Sequence, residues 1–455
     1  MRIGIRREDK NQWEARVPLI PDHIRDLRDR FAVEFFIQPS TIRAFSDEEF
    51  KNAGAVVQED LSNCDIMLAV KEIPVEFFLP DKKYVFFSHT IKGQSYNMPL
   101  LKRMVDLNTT LIDYEKIVDD RGRRLVFFGR FAGIAGMIDS FRALSSRLSN
   151  EGHHTIFSNL KQAMNYPSLE AVKDAYREQG KQLTAEGLPE TLSPMIFGFA
   201  GYGNVSKGAQ EMFDLFPFIE LKPEELESFY KEKKYSRHHL YKVVFKEEHL
   251  VQPKDPNSKF DLQDYYHHPE KYESKFEQYL PYLSVLINAI YWDTIYPKLV
   301  TRKYLKERYE SGTGLPLKVI GDITCDIDGS IECNLTETDS GKPVYVYDPI
   351  KEDIKYGTEG NGPVVLAVDN LPCELPKESS AVFSTVLKDF IPELVKTDFT
   401  KDFEAANLPP ELKRATILYK GEFTPDYNYM RDFIKNPGKP PKGQAPKGQA
   451  EPKSN

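Results

Sequence analysis

The sequence predicts an α/β protein in which two alternating strand–helix units follow one another. Short apolar runs alternate with helix-like stretches over the first 130 residues, as in a parallel sheet with crossover helices. A glycine-rich turn at Gly201-Tyr-Gly-Asn-Val-Ser-Lys-Gly208, between a strand-like run and a helix, marks a second alternation. An amphipathic stretch at 376–394 then fits a second crossing that returns the chain to its first domain.

The elements follow in order. Residues 2–5 are a short apolar strand. Residues 21–30 form a helix, with Pro21 suited to its first turn. The run AVEFFI at 32–37 is a strand, and 47–53 a helix with acids in its first turn. DIMLAV at 65–70, YVFF at 84–87 and TTLI at 109–112 are buried strands by composition. Ala132, Gly133, Ala135 and Gly136 precede a helical pattern through 140–148. They fit either a small-residue helix start at a domain junction or a glycine-rich loop before the helix. In the second unit PMIFGFA at 194–200 is a strand, as are FIEL at 218–221, SVLINAIY at 284–291, KVIGDI at 318–323 and VVLAV at 364–368. The aromatic, charged, His-containing stretch 235–276 reads as an insertion. The expected domains are 1–131 plus 366–435, and 132–365 carrying that insertion. Residues 436–455, which repeat PKGQA and hold no large apolar residue, read as a disordered tail.

Composition narrows the function. The chain has 455 residues, 40% apolar and 29% charged; 61 basic minus 69 acidic residues gives −8. That balance argues against a phosphate-backbone binder, and no apolar run is long enough to span a bilayer. Four cysteines without a CxxC pair argue against a disulfide scaffold or structural zinc. The adjacent histidines at 153–154, 238–239 and 267–268 point apart, so no metal site is expected. The N-terminus shows neither secretion nor transit character, so a cytoplasmic protein is expected.

Three groups of residues can carry chemistry. The turn with Gly201, Gly203, Asn204, Val205 and Gly208 permits close backbone approach to a pyrophosphate at a helix start, although its spacing is G-x-G-x4-G. Glu220, about twenty residues on, is placed to meet an adenosine ribose and leans toward NAD. Lys222 and Arg237 could instead hold a 2′-phosphate. Lys71-Glu72 and His89 each follow an apolar strand, and in a parallel sheet strand C-termini share one rim. A partly buried Lys beside a His can exchange protons near neutrality. Arg16 in Glu14-Ala-Arg16-Val-Pro-Leu, and Arg124, are natural bidentate partners of a carboxylate, or ordinary surface ion pairs.

These residues also carry a family resemblance. Ile3-Gly-Ile-Arg-Arg-Glu-Asp-Lys and Trp13-Glu-Ala-Arg16-Val-Pro-Leu resemble the opening of the alanine dehydrogenase/transhydrogenase N-terminal domain. Gly203-Asn-Val-Ser-Lys-Gly-Ala-Gln, Ser236-Arg-His-His239, His268-Pro-Glu-Lys-Tyr272, Ile290-Tyr-Trp292, Gly329-Ser-Ile-Glu332 and Asp369-Asn-Leu-Pro372 resemble the lysine–ketoglutarate reductase portion of aminoadipic semialdehyde synthases, from about residue 1 to 432. The resemblance implies two Rossmann-like domains around a central cleft, the first completed by a C-terminal segment. It implies reductive condensation of L-lysine with 2-oxoglutarate to saccharopine, with NADPH as cofactor and NADH possible. It implies Lys71 and His89 as acid–base groups, tuned by Glu72 and Glu115. Arg16 and Arg124 would hold substrate carboxylates, and Asp326 is matched more weakly to an aspartate of alanine dehydrogenases. The synthases continue into a saccharopine dehydrogenase half and, in animals, begin with a mitochondrial presequence. Neither is seen here, so a separate saccharopine dehydrogenase is an expected partner. A monomer or homodimer is expected. An alanine dehydrogenase-like enzyme, a non-catalytic dinucleotide-binding protein and net flux toward lysine remain open alternatives.

Overall fold

The computed structural model describes residues 1–435, so the expected tail at 436–455 lies outside the described residues. The chain forms two units, Met1–Phe128 with the segment beginning at Pro376, and Gly129–Leu375. The chain thus returns at the start of the stretch 376–394 expected to carry the crossing, and the second boundary falls after Leu375 rather than between 365 and 366. Leu371 and Leu375 are buried in the same apolar cluster as Ile134 and Ile138, which keeps this segment with the second unit.

In chain order the first segment holds β1 (Arg2–Ile5), β2 (Glu34–Ile37), β3 (Val56–Val57), β4 (Ile66–Leu68), β5 (Lys83–Phe86) and β6 (Thr110–Asp113). The second unit holds β7 (Ile196–Ala200), β8 (Phe218–Leu221), β9 (Leu240–Phe245), β10 (Val251–Pro253), β11 (Tyr272–Ser274), β12 (Val285–Asn288), β13 (Val319–Asp322), β14 (Val344–Asp348), β15 (Asp353–Tyr356) and β16 (Val364–Leu366). The last segment adds β17 (Thr416–Tyr419) and β18 (Glu422–Phe423).

Among the described residues the first sheet runs β18-β17-β6-β5-β4-β1-β2-β3. From β1 to β6 every pairing is parallel; β17 joins antiparallel to β6, and β18, antiparallel to β17, forms the edge. β4 is buried throughout because parallel strands are covered on both faces. The chain builds outward from β1 through β2 and β3, then returns to the other side of β1 for β4. That reversal of order lies between β1 and β4, the point at which open α/β sheets bind ligands. The helix Pro21–Arg30 has Pro at its start as expected, and the Ser46/Glu49 capping box fixes the start of Asp47–Asn52. The stretch 376–394 is not one helix but two, Pro376–Leu387 and Ile391–Lys396. Pro392 lacks an N–H and is tolerated in the first turn of a helix, not in its interior.

The second sheet runs β15-β14-β16-β13-β12-β7-β9-β8. Its order corrects the expected insertion at 235–276. Residues 240–245 are β9, a strand inside the sheet, parallel to β7 on one side and to β8 on the other. The buried lysine in LYKVVF disguises it: Lys242 spans the strand to Asp214 at 2.8 Å and lies over the Phe218 ring. The chain crosses from β7 to β8 through the helix Asn204–Phe213 and comes back to β9 through Leu226–Glu232. Right-handed crossings in opposite directions place their helices on opposite faces. Accordingly Met212 and Phe213 lie in one apolar cluster and Leu226 in the other.

The small residues at 132–136 are a helix start at the boundary between the units, not a loop. They lie inside one helix, Gly129–Asn150. A Cβ on Gly133 would stand 1.8 Å from the Val205 carbonyl, and one on Gly208 2.1 Å from the Arg130 carbonyl. The two helix backbones therefore approach at paired glycines. No helix among the described residues is long and apolar enough to cross a membrane.

Candidate active site

In the first unit the segments after β1, β4 and β5 bring a charged cluster to one rim. His89 Nδ1 meets Glu72 Oε1 at 2.6 Å, and Lys10 Nζ meets the other oxygen of Glu72 at 3.1 Å. Burial disfavours the Glu72 carboxylate. The hydrogen bond and charge of His89, with Lys10 and Lys71 nearby, outweigh burial and hold its pKa well below the usual range. With Nδ1 engaged by Glu72, Nε2 is the ring nitrogen left to exchange a proton. His89 sits at φ 48°, a left-handed conformation uncommon for a residue with a side chain. Its carbonyl accepts from the Asn97 side chain at 3.0 Å, and its ring stacks on Phe87.

Lys71 is fixed through its backbone. Glu8, in the loop after β1, accepts the N–H groups of Val70 at 2.6 Å and Lys71 at 2.9 Å. Burial, and then the charge of Glu14, push the Glu8 carboxyl up to about 8 despite those bonds. Sequence reading passed over Glu8, Lys10 and Glu14, although all three share the loop of Arg16 at the strand-order reversal. Their place in one loop directly after the first strand was the available signal.

Arg16 is buried and grips Glu14 in a two-point fork, Nε to Oε1 at 2.7 Å and Nη2 to Oε2 at 2.5 Å. Its guanidinium lies 4.2 Å from the centre of the Phe128 ring. The fork expected to face a substrate carboxylate is turned to Glu14 here. Arg124 pairs with Glu115 and is half-exposed. Asp113, at the end of β6, accepts the Ser88 N–H at 3.0 Å and its hydroxyl. Burial and then the charge of Glu115 push Asp113 up to about 6.

In the second unit β7 ends at Ala200. Gly201 turns at φ 94°, and the helix Asn204–Phe213 starts at once without a side-chain cap. A Cβ on Gly203 would meet nothing within 4 Å. An open approach to uncapped N–H groups at a strand C-terminus fits the pyrophosphate of a nicotinamide dinucleotide. Asn204 and Val205 open the helix, and Gly208 serves helix packing. Glu220 is exposed on β8, which is the edge strand of this sheet, so it does not neighbour the glycine turn. Lys222 follows on the same edge. Arg237 is further from the expectation. It precedes β9 at the strand N-terminal edge and contacts Glu186 and the Gly187 region, away from the C-terminal rim. Asp326 lies in the turn after β13, its carbonyl accepting the Gly329 N–H at 2.9 Å. Beneath it, the buried Asp322 accepts from Asn288 and Asn334, each at 2.8 Å, and ties β12 to β13.

Residues 4–135 match the family model described as alanine dehydrogenase/PNT, N-terminal domain. Alpha-aminoadipic semialdehyde synthase of Arabidopsis thaliana is 39% identical over 443 residues, covering 94% of this chain and 41% of the plant protein. The mitochondrial synthase of Bos taurus is 37% identical over 455 residues, covering 95% of this chain and 48% of its own length. The chain is a homologue of one portion of these synthases. It spans about half, or less, of the length of these relatives. The saccharopine dehydrogenase [NAD(+), L-lysine-forming] of Emericella nidulans is 25% identical over 400 residues, covering 85% of this chain and 90% of that one. Among solved structures, an L-alanine dehydrogenase superposes with TM-score 0.59 at 18% identity, covering 95% of this chain and all of its own. The transhydrogenase from Sinorhizobium meliloti gives 0.54 at 14%, covering 93% of this chain and all of its own. Both share the fold, and both units of the synthase homologue are Rossmann-like.

Proposed function

We propose that this synthase homologue condenses L-lysine with 2-oxoglutarate and reduces the resulting imine to saccharopine, reversibly, with a reduced nicotinamide dinucleotide. The carrying observation is the His89–Glu72 contact of 2.6 Å beside Lys71, at the strand-order reversal of the first sheet. The relatives' names, synthase and lysine-forming saccharopine dehydrogenase, support the substrate class.

The ε-amine of lysine loses a proton, and its lone pair attacks the ketone carbon. The attacking nitrogen gives up a proton and the ketone oxygen takes one up, giving a carbinolamine. Protonation of that hydroxyl lets water depart and leaves the protonated imine, which becomes the secondary amine when its carbon takes up hydride. A nicotinamide dinucleotide held at the turn of Gly201 and Gly203 would supply the hydride for the imine carbon. Each stage moves one proton at one place, which suits two basic groups on adjacent strand ends. Lys71 and His89 Nε2 take these roles. Glu72 holds Nδ1 and thereby fixes which ring nitrogen faces the substrate. Arg124, half-exposed, is the better placed carboxylate partner. Arg16 has its Nε and Nη2 engaged by Glu14. The resemblance implies NADPH as the cofactor, with NADH possible.

Lysine-dependent loss of reduced-nicotinamide absorbance with 2-oxoglutarate tests the reading. Activity with ammonia and pyruvate instead would replace it with an alanine dehydrogenase reading. Nucleotide binding without turnover on any amino acid and keto acid would reject catalysis.

A further inference from the structure

Strand order decides which residue flanks the glycine turn. β7 runs into Gly201, and its spatial neighbour is β9, with Ala200 opposite Phe245 and the Gly201 N–H bonded to the Phe245 carbonyl at 2.9 Å. β8 lies outside β9, so Glu220 stands two strand spacings from β7, about 10 Å away. The residues that share the rim with the turn are those just past Phe245: Lys246, Glu247 and Glu248.

Of these, Glu247 is held in place. Tyr266 donates its hydroxyl to Glu247 Oε1 at 2.7 Å, and Tyr202, the residue between Gly201 and Gly203, hydrogen-bonds the same side chain. The carboxylate is thus tied both to the turn and to the excursion after β9. Its charged surroundings are mostly acidic: Glu248 follows it, and Glu224 faces His249 at 3.0 Å. Lys246, exposed, is the adjacent cation.

We propose that Glu247, rather than Glu220, meets the adenosine ribose and makes this protein select NADH over NADPH. A carboxylate accepts hydrogen bonds from both ribose hydroxyls. A 2′-phosphate would bring a further charge of about −2 against Glu247 and its acidic neighbours. The inference rests on the nucleotide-dependent reading above.

Equilibrium binding of NADH and NADPH to the 455-residue chain, followed by quenching of its tryptophan fluorescence, needs no turnover. The unaltered protein is expected to bind NADH at least tenfold more tightly than NADPH. Glu247→Ser, with Glu247→Gln as the shape-conserving partner, is expected to narrow that ratio about tenfold. Glu220→Gln is expected to leave it unchanged. Tighter binding of NADPH by the unaltered protein would overturn the inference, as would a ratio that responds to Glu220→Gln and not to Glu247. Binding of neither nucleotide would overturn the oxidoreductase reading together with it. A preference for NADH without lysine-dependent turnover would sink that reading alone.

Discussion

The two sheets have the same architecture, yet their rims differ in how the chain reaches them. In the first sheet the strands that carry the charged cluster, β4 and β5, are neighbours both in sequence and in space. In the second, β8 follows the glycine turn in sequence, but β9 lies beside it in space. Where sequence order and spatial order coincide, residues read off strand ends arrive together, as Glu72 and His89 do. Where they part, a residue assigned by counting along the chain lands on the wrong strand, as Glu220 does. An apolar run reports a strand because burial acts residue by residue, while strand order is set by non-local pairing that no local window contains.

The largest expected effect breaks the first rim. Lys71→Met keeps a long apolar stem and removes the amine. Turnover is expected to fall by about 10²–10⁴, the usual contribution of one acid–base group, while nucleotide affinity stays within about twofold. Single-turnover assays beside equilibrium binding separate the two. Undiminished turnover would remove Lys71 from the chemistry and leave the first rim without its principal group.

A smaller effect sharpens the second rim. Gly208→Ala forces a Cβ to within 2.1 Å of the Arg130 carbonyl, which is backbone and cannot swing aside. Separation of the two helices is expected to cost about 1–3 kcal/mol of stability, read as an earlier denaturation midpoint. Gly203→Ala meets nothing within 4 Å. It is expected to leave stability nearly unchanged and to weaken nucleotide binding instead. Equal destabilisation by both would mean that the turn's glycines all serve packing and none serves a ligand.

Much of the first unit was legible. β1, the helix Pro21–Arg30 and the strand-end placement of Lys71 and His89 stand as the pattern of apolar runs, proline and charge implied. The pairing of Arg16 with Glu14 was not legible. Arg16 reads as a carboxylate partner or a surface ion pair and Glu14 as a loop position, and only the fold shows that they are buried against each other and that Arg16 lies over Phe128. β9 was hidden by Lys242, whose charge is neutralised by Asp214 from a distant part of the chain. In each case the sequence carries the residue, while the partner that gives it meaning is supplied by tertiary structure.

The smallest effect concerns Glu8, which sequence reading passed over entirely. Its carboxyl is raised from an ordinary 4.5 to about 8 in the folded protein, chiefly by burial. The folded state therefore favours the protonated form. The resulting stability is complete below about pH 4.5 and is lost progressively as pH rises toward 8. Glu8→Gln keeps the shape and cannot ionise. It gives up one of the two bonds to Val70 and Lys71, a constant cost of about 1 kcal/mol. Against that offset, the thermal midpoint of the unaltered protein is expected to fall relative to Glu8→Gln between about pH 5 and pH 8, by an amount worth at most a few kcal/mol. Parallel midpoints across that range would show that Glu8 is ionised throughout. The two backbone N–H groups would then hold a carboxylate, and Lys71 would sit beside a fixed negative charge rather than a neutral acid.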